Sequence, residues 1–251
     1  MIDQKTIDQE TIEQDMKKII IIKAGDTFPL MGKYLGDFED WIFKGLCVGK
    51  EDIMVVDIPK GDPLPDVETC KAVVISGSHA SVTENLSWSV AIEQWIPDLI
   101  QSKTPILGIC YGHQLLAKAM GGIVDFHTKG IEIGTTGIEI LEDSTQDFLF
   151  KGLPKTFKAH VCHSQTVIRL PDHAVRIAKS SFEPNHAFRI GQSAWGIQFH
   201  PEFDEKIMEA YAENMESTIK ESGLILSETL EKIEPTPIPL KILERFGNLA
   251  K

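Results

Sequence analysis

Along the first half of the chain, short continuous apolar blocks are separated by amphipathic stretches. Residues 18–22 read as a buried strand with Gly25-Asp26 as its exit turn. Residues 38–46 follow a helical pattern, and 53–58 form a second strand pattern that stops at Pro59. A third strand is predicted at 72–75, an amphipathic helix over roughly 88–102, a fourth strand at 106–109 and a helical pattern at 115–120 that the segment 108–114 opens. Strands that are apolar throughout belong to sheets buried on both faces, and helices between them supply the cover.

After Gly121-Gly122 the pattern changes. Ile131-Glu132-Ile133 and Gly137-Ile138-Glu139-Ile140 alternate apolar with polar, which predicts half-exposed antiparallel strands. Further short strands are expected near 156–170, 174–179, 186–190 and 194–199, then a helix over 204–222 and a short helical patch at 241–246 behind three prolines. The expectation is an α/β three-layer sandwich with a mainly parallel central sheet and an antiparallel insertion, spanning residues 17–251. Residues 1–16 are polar and acidic, with too little apolar surface to offset ordering entropy, and are expected to form a flexible tail.

Composition adds exclusions. A net charge of −12 without a basic cluster argues against binding to nucleic-acid phosphates. No apolar run approaches the length of a membrane span, and the first residues lack the order of a secretory signal. Cys47, Cys70, Cys110 and Cys162 are widely spaced, without a CxxC pair. A disulfide framework is not expected, and a reducing cytoplasm fits better.

The chemistry concentrates in two segments. Gly108-Ile109-Cys110-Tyr111-Gly112-His113-Gln114 sits at a strand-to-helix junction, with one cysteine between two glycines. That is the layout of a nucleophile elbow, where a side chain two positions from the nucleophile would collide with the turn. A cysteine at a helix N-terminus is also placed to react as thiolate. A buried structural cysteine would explain neither the glycines nor His113-Gln114. In the second segment, Phe199-His200-Pro201-Glu202, extended geometry puts His200 and Glu202 on one face. They supply the base and its orienting carboxylate in a Cys-His-acid arrangement. Alone they would read as a surface turn. Oxyanion donors are expected from the Tyr111 amide and from the loop at Gly77-Ser78.

Together, GICYGHQ around Cys110, ISGSHASV at 75–82 and QFHPE at 198–202 resemble the class I glutamine amidotransferases, most closely their stand-alone, GMP synthase-like domains. Gly130-Ile131-Glu132-Ile133-Gly134, the segment 159–165 and Ala187-Phe188-Arg189 extend the resemblance over residues 18 to about 222. It implies a flavodoxin-like fold and no cofactor or metal. It also implies attack of Cys110 on the glutamine side-chain amide, with ammonia and glutamate as products and a separate synthase subunit as a possible partner. It places Gln114 against the substrate and His163, Ser164 and Gln165 near its α-amino and carboxylate groups. Two positions depart from the pattern: Gly77-Ser78-His79 stands where many relatives have Gly-Gly-Pro, and Gln165 where GMP synthases usually carry an acidic residue.

Two other functions compete: a γ-glutamyl peptidase using the same thioester chemistry, and a silent regulatory homologue, against which the intact Cys110, His200 and Glu202 argue. A metal site at His160, Cys162 and His163 is disfavoured because a strand points His163 away from the other two. His79, His113, His127, His173 and His186 read as surface or loop residues, with His113 near enough to tune Cys110. Trp41, Trp88 and Trp95 read as core or interface residues.

Overall fold

The computed structural model describes residues 17–144 and 146–250. The segment 1–16, expected to be a tail, lies outside the described residues. In chain order the elements are β1 (Lys18–Lys23), α1 (Pro29–Leu35), α2 (Phe38–Leu46), β2 (Ile53–Asp57), β3 (Cys70–Ile75), α3 (Ser87–Gln101), β4 (Ile106–Ile109) and α4 (Tyr111–Ala119). They continue with β5 (Ile123–Phe126), β6 (Glu132–Ile140), β7 (Thr156–His163), β8 (Gln165–Arg169), β9 (Ala174–Lys179), β10 (Ala187–Ile190) and β11 (Ala194–Ile197). Four helices close the chain: α5 (Glu205–Asn214), α6 (Glu216–Glu221), α7 (Leu226–Glu231) and α8 (Pro237–Leu249).

Nine strands form one sheet in the order β2-β1-β3-β4-β11-β10-β9-β6-β7, while β5 and β8 pair separately. The five strands from β2 to β11 are parallel. From β10 onward each pairing is antiparallel. The antiparallel strands therefore extend the parallel sheet. Alternate side chains of one strand feed opposite cores: Ile19 and Ile21 pack with Ile42, Leu46 and Phe246, and Ile20 and Ile22 with Ile92, Ile96 and Leu115. Helices α2 and α8 thus cover one face, and α3 and α4 the other. Each fully buried isoleucine contributes about 1.5–3 kcal/mol, which explains why β1 is apolar on both faces. No helix among the described residues is long and apolar enough to cross a membrane.

Helices α1 and α7 were not expected, and two of the expected helices differ in extent. The stretch 204–222 breaks at Met215, whose sulfur lies 3.2 Å from Cys162 Sγ. The C-terminal patch expected at 241–246 is a full helix over Pro237–Leu249. Pro237 and Pro239 fall in its first turn, where backbone N–H groups have no intrahelical acceptor, so they start the helix without breaking it.

Gly247 lets α8 approach α2 closely, since a Cβ there would lie 2.1 Å from the Leu46 carbonyl oxygen. A backbone carbonyl cannot rotate away as a side chain can. Gly247→Ala should therefore cost about 1–3 kcal/mol, seen as a Tm about 3–10 °C lower in a thermal melt. An unchanged Tm would show that this crossing does not hold α8.

Candidate active site

The parallel ends of β3, β4 and β11 lie side by side, with Gly108 of β4 paired to Ile75 of β3 and Gly196 of β11. Whatever follows each strand therefore emerges at the same sheet edge. The Gly77-Ser78 loop follows β3, Cys110 follows β4, and His200 follows β11.

Cys110 adopts φ 50° and ψ −97°, a conformation that side-chain-bearing residues rarely adopt. The turn is held on both sides. A Cβ on Gly108 would lie 2.3 Å from Gly112 O, and one on Gly112 would lie 2.4 Å from Ile75 O. The Cys110 amide donates to Ile197 O (2.8 Å), so the turn is also tied to β11. Cys110 opens α4, is 6% exposed, and its Sγ lies 3.6 Å from Cys162 O.

His200 and Glu202 are both buried, with His200 Nδ1 2.7 Å from Glu202 Oε1. A carboxylate there requires Nδ1 to carry the hydrogen, which leaves Nε2 as the titrating nitrogen. The backbone N–H of His200 donates to His160 O (2.9 Å). Its ring stacks on Phe203 at 4.1 Å and 18°, with Phe38 near-parallel at 6.4 Å. Burial opposes the charged ring, but the charges of Glu202 and Cys110 prevail, so its pKa lies well above the ordinary imidazole range. Phe38 is set by the start of α2. There Asp37 caps the helix and receives the Lys23 ammonium (2.8 Å) and the Thr27 amide (2.9 Å).

Gly77 brings the β3 loop against these rings, since a Cβ there would lie 3.1 Å from His200 Cε1 and 3.2 Å from Phe38 Cε1. Cys110, Tyr111, Ser78, His163, Ser164, Gln165, Gln114 and His200 line one cleft of about 420 Å³. Gln114 Nε2 donates to Gln165 O (2.9 Å) and Gln198 Oε1 (3.0 Å). Gln165 turns its side chain elsewhere: Oε1 accepts from the Val82 amide (2.9 Å) and Nε2 donates to Thr83 Oγ1 (2.7 Å). Both ends of that amide are engaged by the 82–83 turn.

The alternation in Ile131-Glu132-Ile133 suggested an outward Glu132, yet Glu132 is buried. Its Oε2 lies 2.9 Å from His163 Nε2 and 3.4 Å from His186 Nε2, and His163 Nδ1 donates to Gln165 O (2.9 Å). Burial works against the Glu132 charge, but the hydrogen bonds from His163 and His186 hold its pKa at about 2.

His113 and His186, expected at the surface, are also fully buried. Glycine at 196 makes room for His113, whose ring packs on Phe188 and is driven by burial to a pKa of about 3. His160, Cys162 and His163 do not converge on one point. His160 bonds Thr135, Cys162 meets Met215 and His163 meets Glu132. Trp41 and Trp95 are buried and Trp88 is half-buried. The aromatic partners Phe38, Phe203 and Tyr211 had no chemical signature in the sequence, because their contribution depends on long-range packing.

The family model described as "Glutamine amidotransferase class-I" matches residues 35–216. GMP synthase (glutamine-hydrolyzing) of Aeropyrum pernix is 36% identical over 142 residues, covering 57% of this chain and 25% of that protein. Gamma-glutamyl peptidase 4 of Arabidopsis thaliana is 31% identical over 145 residues, covering 57% of this chain and 58% of that protein. The chain thus spans between a quarter and somewhat over half of these curated relatives. A crystal structure of a glutamine amidotransferase from Thermotoga maritima superposes with a TM-score of 0.73 at 25% identity, covering 93% of this chain and 98% of that one.

The lowered pKa of Glu132 fixes a pH dependence of stability. Its contribution is complete above the ordinary value of 4.5 and is lost as the pH falls toward about 2. In urea unfolding, the wild type should weaken across that window more steeply than Glu132→Gln, which lacks the titrating group. Parallel curves would contradict the buried Glu132 carboxylate.

Proposed function

Because the chain belongs to the class I glutamine amidotransferase family, we propose that it hydrolyses the side-chain amide of glutamine through a γ-glutamyl thioester on Cys110. The observation that carries this reading is the strained Cys110 turn beside a buried His200–Glu202 pair on the neighbouring parallel strand. The Cys110 thiolate attacks the amide carbon. The resulting oxyanion is met by the amides of Tyr111 and of the Gly77-Ser78 loop, aimed at charge that develops only in the transition state. His200 Nε2 passes a proton to the departing nitrogen, and ammonia leaves. Water enters, loses a proton to His200 and attacks the thioester carbon. The C–S bond breaks, the thiolate returns and glutamate is released. Glu202 holds the His200 ring and offsets its charge throughout. Gln114, His163, Ser164 and Gln165 form the wall proposed to hold the glutamyl end. The resemblance to a GMP synthase supports a reading in which ammonia passes to a separate synthase.

A second substrate class has its own support. The same cleft is also lined by Phe28, Tyr211, Asn214, Met215 and Thr218, and among the described residues its lining includes no Asp, Glu, Lys or Arg. An uncharged lining of this size leaves room for an amide nitrogen bearing a larger group, and a gamma-glutamyl peptidase is among the relatives. The same thioester then forms, with an amino acid or peptide amine leaving in place of ammonia.

Glutamate release from glutamine and from γ-glutamyl dipeptides, measured side by side, separates the two. Cys110→Ala should lower either activity by about 10³-fold or more, and Glu202→Gln by roughly 10²–10⁴-fold. Release from dipeptides alone would overturn glutamine as the substrate. Undiminished release by Cys110→Ala would overturn the thioester.

A further inference from the structure

The loop after β3 is anchored at Ser76-Gly77, where Ser76 Oγ also donates to Gly77 O (2.9 Å), and beyond that point it is linked to α5 through one side chain. Ser76 is fixed by its amide to Ile22 O (3.0 Å), by its Oγ accepting from the Ala24 amide (3.0 Å), and by its carbonyl accepting from the Gly112 amide (3.3 Å). The Ser78 side chain bonds only locally, to the Ala80 amide (3.1 Å). His79 reaches across the cleft mouth. Its Nε2 lies 2.9 Å from the Tyr211 hydroxyl, and its ring packs on Phe28 at 4.4 Å.

Tyr211 belongs to α5 and is buried at 3% exposure. Its ring lies 5.0 Å from that of Phe203, the ring on which His200 stacks. One tyrosine thus touches the platform under the base with its ring and ties down the loop with its hydroxyl.

We infer that the His79–Tyr211 hydrogen bond is a latch that holds the Gly77-Ser78 amides at the oxyanion position, making His79 and Tyr211 positioning residues for the hydrolysis proposed above. The inference rests on that reading of the site. Amides preorganised before the reaction stabilise the oxyanion without reorganisation cost, and a loop left to swing forfeits part of that stabilisation. The latch acts on charge developed after attack, so it concerns turnover and not substrate capture.

The test is a double-mutant cycle on the full chain with whichever γ-glutamyl substrate the wild type cleaves. Tyr211→Phe and His79→Ala should each lower kcat about tenfold with KM within about twofold, because they loosen a donor whose complete removal costs roughly 10²–10³. The double variant should be no worse than either single one, as expected for two ends of one bond. His79→Gln, which keeps a hydrogen-bonding group near the hydroxyl, should recover part of the loss. A γ-glutamyl aldehyde, which forms a thiohemiacetal on Cys110, should bind more weakly by the same factor, while Cys110 alkylation by iodoacetamide keeps its wild-type rate. Wild-type kcat in both singles, or additive losses in the double, would overturn the latch while leaving hydrolysis intact. A wild type inactive on glutamine and dipeptides would overturn the hydrolysis and the latch with it.

Discussion

The chain reversal at Cys110 is the constraint on which the other features of the site depend. A side-chain-bearing residue at φ 50° and ψ −97° stores on the order of 1–3 kcal/mol of strain, and it persists only where surrounding contacts leave no alternative. Here those contacts are backbone against backbone: Gly108 on Gly112, Gly112 on Ile75, and the Cys110 amide on Ile197. Each of those partners lies in or beside β3, β4 and β11, so the strain is secured by the central parallel strands. The same register that forces the turn also brings the β3 loop and His200 to the thiol.

The site has two unlike walls. On one side, Phe38, Phe203 and Tyr211 form an apolar cluster that keeps water from that face of the His200 ring and raises the weight of its interaction with Glu202. On the other, Gln114, His163 and Glu132 form a chain of hydrogen bonds that converges on the Gln165 carbonyl. A buried polar network of this kind costs much when partly broken, because each orphaned group keeps its desolvation penalty. Such a wall presents its backbone groups in one arrangement.

How much of this was legible in the sequence follows from the range of the interactions involved. The apolar strands 18–22, 72–75 and 106–109 announced a buried parallel sheet because every position in them except Lys18 is buried, and the paired glycines announced the elbow because the turn is local. His200 and Glu202 were legible for the same reason, lying two residues apart in an extended segment. Glu132 was misleading: its neighbours alternate as on a half-exposed strand, and its inward position depends on His163 and His186, distant in sequence. His113 turned inward because glycine at 196, on another strand, leaves space for its ring. The C-terminal helix was read as too short because its prolines count against a helix interior but not against a first turn. Gln165 matched the position of a substrate-binding residue, yet its side chain is taken up by the turn at 82–83, a partnership that spacing does not encode.

The central claim is that γ-glutamyl transfer passes through Cys110. Acid-quenched reaction mixtures with glutamine or a γ-glutamyl dipeptide, digested and read by mass spectrometry, test it most directly. The account predicts a γ-glutamyl adduct confined to the peptide containing Cys110, discharged by added hydroxylamine and missing from Cys110→Ala. An adduct on another residue, or one that survives in Cys110→Ala, would contradict it.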